Sequence, residues 1–167
     1  MVDRPAQLGA RRLVAGIGEP MRSDDGAGPR VVRELRGQVA PDVQLVERVA
    51  DPTRLLELWR GRELAIVVDA SRSGAELGTV RRVEATELTG SEAASLTSSH
   101  GFSFRETLEL GRALGILPER LVLVLVEAGD LGRGASLSPE VARGVREAAR
   151  RVEAELSRPA LPITFGG

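Results

Sequence analysis

Three positions of this chain combine side chains and locations that could support metal-dependent or acid–base chemistry. Asp25 is the second acid of an adjacent pair in the glycine-rich stretch GIGEPMRSDDGAG, residues 16–28. Asp69 ends the apolar run LAIVVD, and His100 is the only histidine of the chain. Two carboxylates and one imidazole suit a borderline divalent ion such as nickel or zinc, with open positions left for a substrate. The residue types therefore predict a site made by Asp25, Asp69 and His100, provided that the fold brings them together.

Each of these residues also has an ordinary structural explanation. An aspartate pair in the first turn of a helix is favoured by the helix macrodipole, and capping together with this dipole accounts for Asp24. Asp69 can hydrogen-bond a turn, and a lone histidine in a polar loop is usually solvated. Glu19, in the same glycine-rich stretch, has no role that its position predicts. Only the combination of two acids with His100 favours a site.

The composition excludes several mechanisms. The chain has no cysteine and no tyrosine, and all of its 23 basic residues are arginine. A thiol nucleophile, a Schiff base, a serine–lysine dyad and a P-loop lysine are therefore excluded. The 24 acidic residues leave a net charge of −1, and aromatic residues make up 2% of the chain. Neither the charge nor the aromatic content favours nucleic acid or an anionic membrane as a partner.

Helical and strand patterns alternate along the chain. Apolar or alternating segments predict five strands, at residues 12–16, 43–48, 64–69, 79–84 and 120–127. Helical patterns lie at 26–35, 53–59, 103–114 and 138–156. This order predicts an α/β fold with three α/β/α layers and a mostly parallel twisted sheet of about five strands. We expect a single domain over residues 1–167, with a core from about 12 to 157 and a frayed tail at 158–167.

Start signals support three of the helices. Asp51 followed by Pro52 is typical of an N-cap and a first helical position. Residues 103–106 form a capping box, and Ser138 before a proline predicts the cap of the last helix. The polar stretch 85–100 has no clear periodicity, which is typical of a functional or mobile loop.

The carboxyl ends of the predicted strands are where a ligand is expected, as in other open α/β sheets. Residues 16–28 follow the first strand, and Asp69 ends the third. If the chain reverses direction after the first two strands, strands one and three are neighbours, and the carboxylates of Asp25 and Asp69 converge. The segment 79–84 follows closely on the third strand, which predicts an edge strand that is free to run antiparallel.

Nothing in the sequence predicts a membrane segment or a secretion signal. The longest apolar run, residues 121–126, is far too short to span a bilayer. The N-terminus MVDRPAQLGARR lacks the apolar region of a signal peptide. We therefore expect a cytoplasmic protein.

The glycine-rich stretch also invites a rival interpretation as a dinucleotide site. It supplies the first two glycines of that fingerprint, but the third position holds Met21. Glu47 could serve as the acid that binds a ribose. However, Glu19, Asp24 and Asp25 would face the pyrophosphate with three negative charges. A metal or acid site ranks well above a nucleotide site, and a serine hydrolase ranks lower still because the chain has no G-x-S-x-G elbow.

Four motifs of the sequence, in order, resemble those of the hydrogenase maturation endopeptidases. LVAGIGEPMRSDDGAG resembles the opening of that family, and IVVDAS resembles its second acidic motif. SSHGFSFRETL resembles its histidine motif before a helix, and RLVLVLVEAGDLGRGASLSPEV resembles its late strand, loop and final helix. The resemblance spans about residues 13–156.

The resemblance implies a site and an activity. The family's three metal-binding side chains match Asp25, Asp69 and His100. Its members remove a C-terminal extension from the large-subunit precursor of nickel–iron hydrogenase once nickel has been inserted, and nickel carried by the precursor is the recognition signal. Zinc or cadmium could replace nickel in vitro. In one mechanism Asp25 or Asp69 activates water as a general base, and in another the metal supplies the hydroxide.

Two departures from the family pattern bear on the partner. Glu19 stands where the family usually has asparagine, and ERVADP after the second strand lacks the usual glycines. These departures leave two further interpretations open: a divergent member that acts on an atypical hydrogenase, and a maturation partner that binds metal without cutting.

Overall fold

A computed structural model describes residues 9–88, 104–129 and 136–159 of the chain. The strands are β1 (Arg12–Ile17), β2 (Val43–Val49), β3 (Leu64–Ser71), β4 (Val80–Glu84) and β5 (Arg120–Glu127). The α-helices of the described ranges are α1 (Ala27–Glu34), α2 (Leu55–Leu58), α3 (Phe104–Ala113) and α4 (Pro139–Leu156). Short 3-10 helices occupy Ser23–Gly26, Pro52–Arg54 and Ala85–Glu87.

The five strands form one mixed, mostly parallel sheet in the order β2-β1-β3-β5-β4. β1 pairs in parallel with both β2 and β3, and β3 pairs in parallel with β5. β4 lies at the edge and runs antiparallel to β5. The predicted fold class, the neighbouring first and third strands and the antiparallel edge strand are all confirmed. We call the edge where the four parallel strands end the carboxyl edge, and the opposite edge the amino edge.

Helices cover both faces of the sheet, because the inner strands are apolar on both sides. Ile66 and Val68 of β3 belong to the core under α1 and α4. Ala65 and Val67 belong to the core under α2 and α3. Side chains alternate between the two faces of a strand, so Asp69 lies on the α2/α3 face.

The direction of α3 places its first turn at the carboxyl edge. Its last residue, Ala113, is followed by a short connection to Arg120, the first residue of β5 at the amino edge. Near the end of α3, Arg112 Nη2 donates a hydrogen bond to the Leu88 carbonyl oxygen at 3.0 Å, shortly after the end of β4 at the amino edge. α3 therefore runs from the carboxyl edge towards the amino edge.

The helix starts differ from the sequence predictions in two details. The helix predicted from residue 26 begins at Ala27, and the aspartate pair lies in the 3-10 helix before it. The helix predicted at 53–59 is divided into a 3-10 turn and the single α-turn of α2. Its cap is confirmed, since the Asp51 side chain accepts a hydrogen bond from the Thr53 N–H at 2.9 Å.

Several predictions fall on residues that the structure does not describe. His100, Ser103 of the capping box, most of the polar stretch 85–100 and most of the tail 158–167 lie outside the described residues. Within the described ranges, no helix is long and apolar enough to cross a membrane.

Candidate functional site

The glycines after β1 allow α1 to start very close to the sheet. A Cβ on Gly16 would lie 2.7 Å from the backbone of Gly28, and a Cβ on Gly28 would lie 2.5 Å from the Val68 carbonyl oxygen. Side chains do not tolerate such approaches, so both positions require glycine. The glycine-rich stretch therefore places the start of α1 against the ends of β1 and β3.

Asp25 is held in this tight connection. It is 2% exposed, and its Oδ2 accepts a hydrogen bond from the Glu19 N–H at 3.1 Å. Its 3-10 helix contacts β3 and begins at Ser23, whose φ of 48° lies in the left-handed region. For a residue with a Cβ this conformation costs about 1 kcal/mol or more. Strain of this kind is common where a loop has to present a side chain in one position.

Asp69 is positioned by the central strand. It is 2% exposed and lies next to Leu125 of β5 in the sheet register. Its Oδ1 accepts a hydrogen bond from the Ala70 N–H at 2.8 Å. Asp69 thus lies two residues before the end of a buried strand, and a backbone N–H group orients its carboxylate.

The structure brings Asp25 and Asp69 to the same edge of the sheet. Both are buried at the carboxyl edge, Asp25 in the 3-10 helix that follows β1 and Asp69 in the neighbouring strand β3. The third predicted ligand, His100, lies outside the described residues, four positions before the start of α3. Within the part of the chain that is described, no group of three histidine, cysteine or acidic side chains forms a metal site.

Asp24 has a different role from the one that the sequence predicts. Its side chain is fully buried, and its carboxylate accepts hydrogen bonds from the Gly129 N–H at 3.1 Å and the Ser138 N–H at 2.9 Å. The Ser138 hydroxyl adds a third donor at 3.2 Å. Asp24 therefore links the glycine-rich stretch to the end of β5 and the start of α4, and its negative charge lies at the N-terminus of that 18-residue helix.

The same contacts correct the interpretation of Ser138. It occupies the N-cap position of α4, and Pro139 follows at the first helical position, as predicted. Its side chain makes no capping hydrogen bond to the helix, because the hydroxyl is directed to Asp24.

Arginine pairs account for two further acids of this region. Glu19, which had no role in the sequence, forms an ion pair with Arg48 of β2. Glu47, considered above as a ribose ligand, pairs with Arg33 and Arg36 of α1 and its C-terminal turn. These pairs disfavour the dinucleotide interpretation, since Glu47 already has two guanidinium partners.

Two buried polar residues of the carboxyl edge were not identified from the sequence. Glu127 ends β5 with 4% exposure, and its carboxylate accepts hydrogen bonds from Ser73 and Gly74 in the loop after β3. Ser71 ends β3 with 2% exposure. The signal for Glu127 was available in the sequence, because this acid directly follows an apolar run, as Asp69 does.

Comparison with known proteins shows to which family this chain belongs. The family model for hydrogenase maturation protease matches residues 29–155. The chain belongs to the hydrogenase maturation protease family. The match includes Asp69 and His100 and begins after Asp25. The resemblance seen in the sequence motifs and the predicted class of enzyme, a peptidase, are confirmed at the level of this family.

Individual relatives agree with this family. The hydrogenase expression/formation protein HupD of Thiocapsa roseopersicina is 33% identical over 77% of this chain, which spans 60% of that relative. HupD of Rhizobium leguminosarum bv. viciae is 32% identical over 83% of this chain and 70% of its own length. Among solved structures, the hydrogenase maturating endopeptidase HybD from E. coli is 27% identical, with a TM-score of 0.74 over 87% of this chain and 91% of HybD. The chain thus spans less than two thirds of the Thiocapsa relative.

Proposed function

We propose that this hydrogenase maturation protease removes a C-terminal extension from the nickel-loaded large-subunit precursor of a nickel–iron hydrogenase. The main support for this proposal is that two buried carboxylates, Asp25 and Asp69, lie at one edge of the sheet. Each side chain accepts a hydrogen bond from a backbone N–H group, which helps to orient the carboxylate. Such a pair suits the binding of a cation or the activation of a water.

Asp25, Asp69 and His100 are the ligands that we assign to the nickel of the precursor. His100 precedes α3, a helix that starts at the carboxyl edge and covers the face on which Asp69 lies. This placement supports an imidazole near the Asp69 carboxylate. Zinc and cadmium accept the same ligand set, which makes them suitable probes. The metal arrives with the substrate in this account, so that only loaded precursor is cut.

Two mechanisms use these residues. In the first, Asp25 or Asp69 takes a proton from the attacking water, and the other acid or the cation stabilises the oxyanion. In the second, the metal lowers the pKa of the attacking water. The second mechanism predicts that the pH–rate profile changes when cadmium or zinc replaces nickel, whereas the first predicts a profile set by the carboxylates.

Mass spectrometry of the precursor tests the activity. A nickel-loaded large-subunit precursor incubated with the wild-type protein should lose a short C-terminal peptide, and a nickel-free precursor should not. Asp25→Ala, Asp69→Ala and His100→Ala should each abolish the mass change while remaining folded. Binding of the loaded precursor without any mass change would instead identify a noncatalytic maturation partner.

Metal titration tests the ligand set separately from cleavage. We expect nickel or cadmium to bind the wild type more tightly than His100→Ala. A matched control is Glu34→Gln, which removes an exposed carboxylate of α1 and should bind metal like the wild type. Equal affinity of the wild type and His100→Ala would rule out His100 as a ligand.

A further inference from the structure

A buried hydroxyl next to Asp69 lacks a hydrogen-bond partner. Ser71 is 2% exposed, and its Oγ has no partner among the described residues. Buried polar side chains are nearly always hydrogen-bonded, because burying an unpaired hydroxyl costs free energy. An unpaired hydroxyl two residues from a candidate site is therefore available to pair with a bound ligand.

The position of Ser71 is rigid and close to the proposed site. It is the last residue of β3, two positions after Asp69, and strand alternation places both side chains on the same face of the sheet. Two residues of a strand span about 7 Å. The Ser71 carbonyl accepts a hydrogen bond from the Ala128 N–H at 2.9 Å, which fixes the backbone there. Ser71 and Asp69 are equally buried, at 2% exposure each.

Ser73, two positions after Ser71, does have a hydrogen-bond partner for its hydroxyl. Its hydroxyl donates to Glu127 Oε2 at 2.8 Å, and its N–H donates to Glu127 Oε1 at 2.8 Å. Glu127 thus holds the loop directly after Ser71 in one conformation. One serine is used to fix the loop, and the other points its hydroxyl along the Asp69 face without a described partner.

We propose that the Ser71 hydroxyl donates a hydrogen bond to a main-chain carbonyl of the precursor's C-terminal segment, about two residues from the cleaved bond. The inference rests on the proposed function. An extended peptide advances about 3.3–3.6 Å per residue, so a contact about 7 Å from Asp69 falls two residues along. Serine offers one donor and carries no charge, which suits a peptide carbonyl. Ser71 therefore acts on substrate binding and not on the reacting atoms.

A pair of variants separates this role from a structural one. Ser71→Ala should raise the KM for nickel-loaded precursor about three- to tenfold, with kcat within about twofold of wild type, since one neutral hydrogen bond is lost. Its Tm should be unchanged or slightly higher, because the deleted hydroxyl is unpaired in the free protein. Ser73→Ala should show the opposite pattern, with wild-type KM and a Tm lower by about 3 °C. Ser71→Cys, with a weaker donor, should give an intermediate KM.

Binding measurements keep this test independent of the proposed activity. Calorimetry with a synthetic peptide that spans the precursor's cleavage site gives a Kd for the wild type and for Ser71→Ala. A three- to tenfold weaker Kd for Ser71→Ala supports the inference even if no cleavage is seen, a result that would overturn the proposed function alone. Equal Kd and KM values, or a Tm loss of several degrees in Ser71→Ala, would overturn the role of Ser71.

Discussion

Buried carboxylates lie at both edges of the sheet, and they are held in different ways. At the amino edge, Glu155 of α4 is 4% exposed and pairs with Arg82 Nε at 2.7 Å and Arg120 Nη2 at 2.6 Å. At the carboxyl edge, Asp25 and Asp69 each accept a hydrogen bond from a backbone N–H group. Guanidinium partners cancel a carboxylate's charge, whereas N–H donors fix its position.

The two arginines stabilise the charged form of Glu155, as its pKa shows. Hydrogen bonds from Arg82 and Arg120 hold the pKa of Glu155 at about 2, against an ordinary value of 4.5, although burial opposes this shift. The same contacts raise the pKa of Arg82. The amino-edge acid is therefore a permanent part of an ion-pair network that ties α4 to β4 and β5. Burial alone therefore does not mark a functional acid, because Glu155 is as deeply buried as the acids of the carboxyl edge.

Removal of Asp24, a buried acid of the carboxyl edge with a structural role, should have the largest effect on stability. Asp24→Ala leaves the N–H groups of Gly129 and Ser138 and the Ser138 hydroxyl without their acceptor. We expect the free energy of unfolding to fall by about 3–4 kcal/mol, measured by urea unfolding. Asp24→Asn keeps one acceptor oxygen and should lose less than half as much. Equal losses in both variants would show that the hydrogen bonds of Asp24 are not what stabilises this connection.

Glu155→Gln should have a smaller effect that depends on pH. Its pKa of about 2 in the folded protein lies below the ordinary value of 4.5, so its contribution is complete above pH 4.5 and is lost as the pH falls towards 2. Arg82 and Arg120 are partly exposed, so we expect a loss of about 2 kcal/mol at pH 7. In urea unfolding at several pH values, the free energies of unfolding of wild type and Glu155→Gln should converge as the pH falls below 4.5. A constant difference down to pH 2 would contradict the ion-pair account.

The Glu19–Arg48 pair should contribute least. Both side chains are partly exposed, at 34% and 51%. Ion pairs of this kind stabilise by less than about 1 kcal/mol and are screened by salt. Glu19→Gln should therefore lower the free energy of unfolding by less than about 1 kcal/mol, and 1 M NaCl should remove the difference. A larger, salt-resistant loss would place Glu19 in a structural role comparable to that of Asp24.

The strands could be predicted from the sequence, and so could the edge of the sheet at which Asp25 and Asp69 lie. The runs at 64–68 and 121–126 are apolar throughout, which is typical of strands that are buried on both faces of a parallel sheet. The switch of chain direction after β2 then makes β1 and β3 neighbours, which brings Asp25 and Asp69 to one edge. Both inferences depend on local patterns and on rules of sheet topology.

The roles of individual polar residues were beyond the sequence because their partners are distant in the chain. The partners of Asp24 are Gly129 and Ser138, which follow it by 105 and 114 positions in the chain. The residues next to Asp24 in the sequence therefore indicated only the start of a helix. Glu19 pairs with Arg48, 29 positions away. A charged residue in a loop is not part of a periodic pattern, so its sequence neighbours do not predict its partner. The partner depends on which elements pack together in the folded chain. That His100 belongs to the site stays a prediction, since this residue lies outside the described residues.

The most direct test of the account compares an acid from each edge in the same cleavage reaction. Nickel-loaded precursor is incubated with wild type, Asp69→Asn and Glu155→Gln, each checked for folding, and the released peptide is measured over time. We expect Glu155→Gln to cleave within about twofold of wild type and Asp69→Asn to be slower by about 1,000-fold or more. Cleavage by folded Asp69→Asn at the wild-type rate would contradict the assignment of the carboxyl edge as the active site.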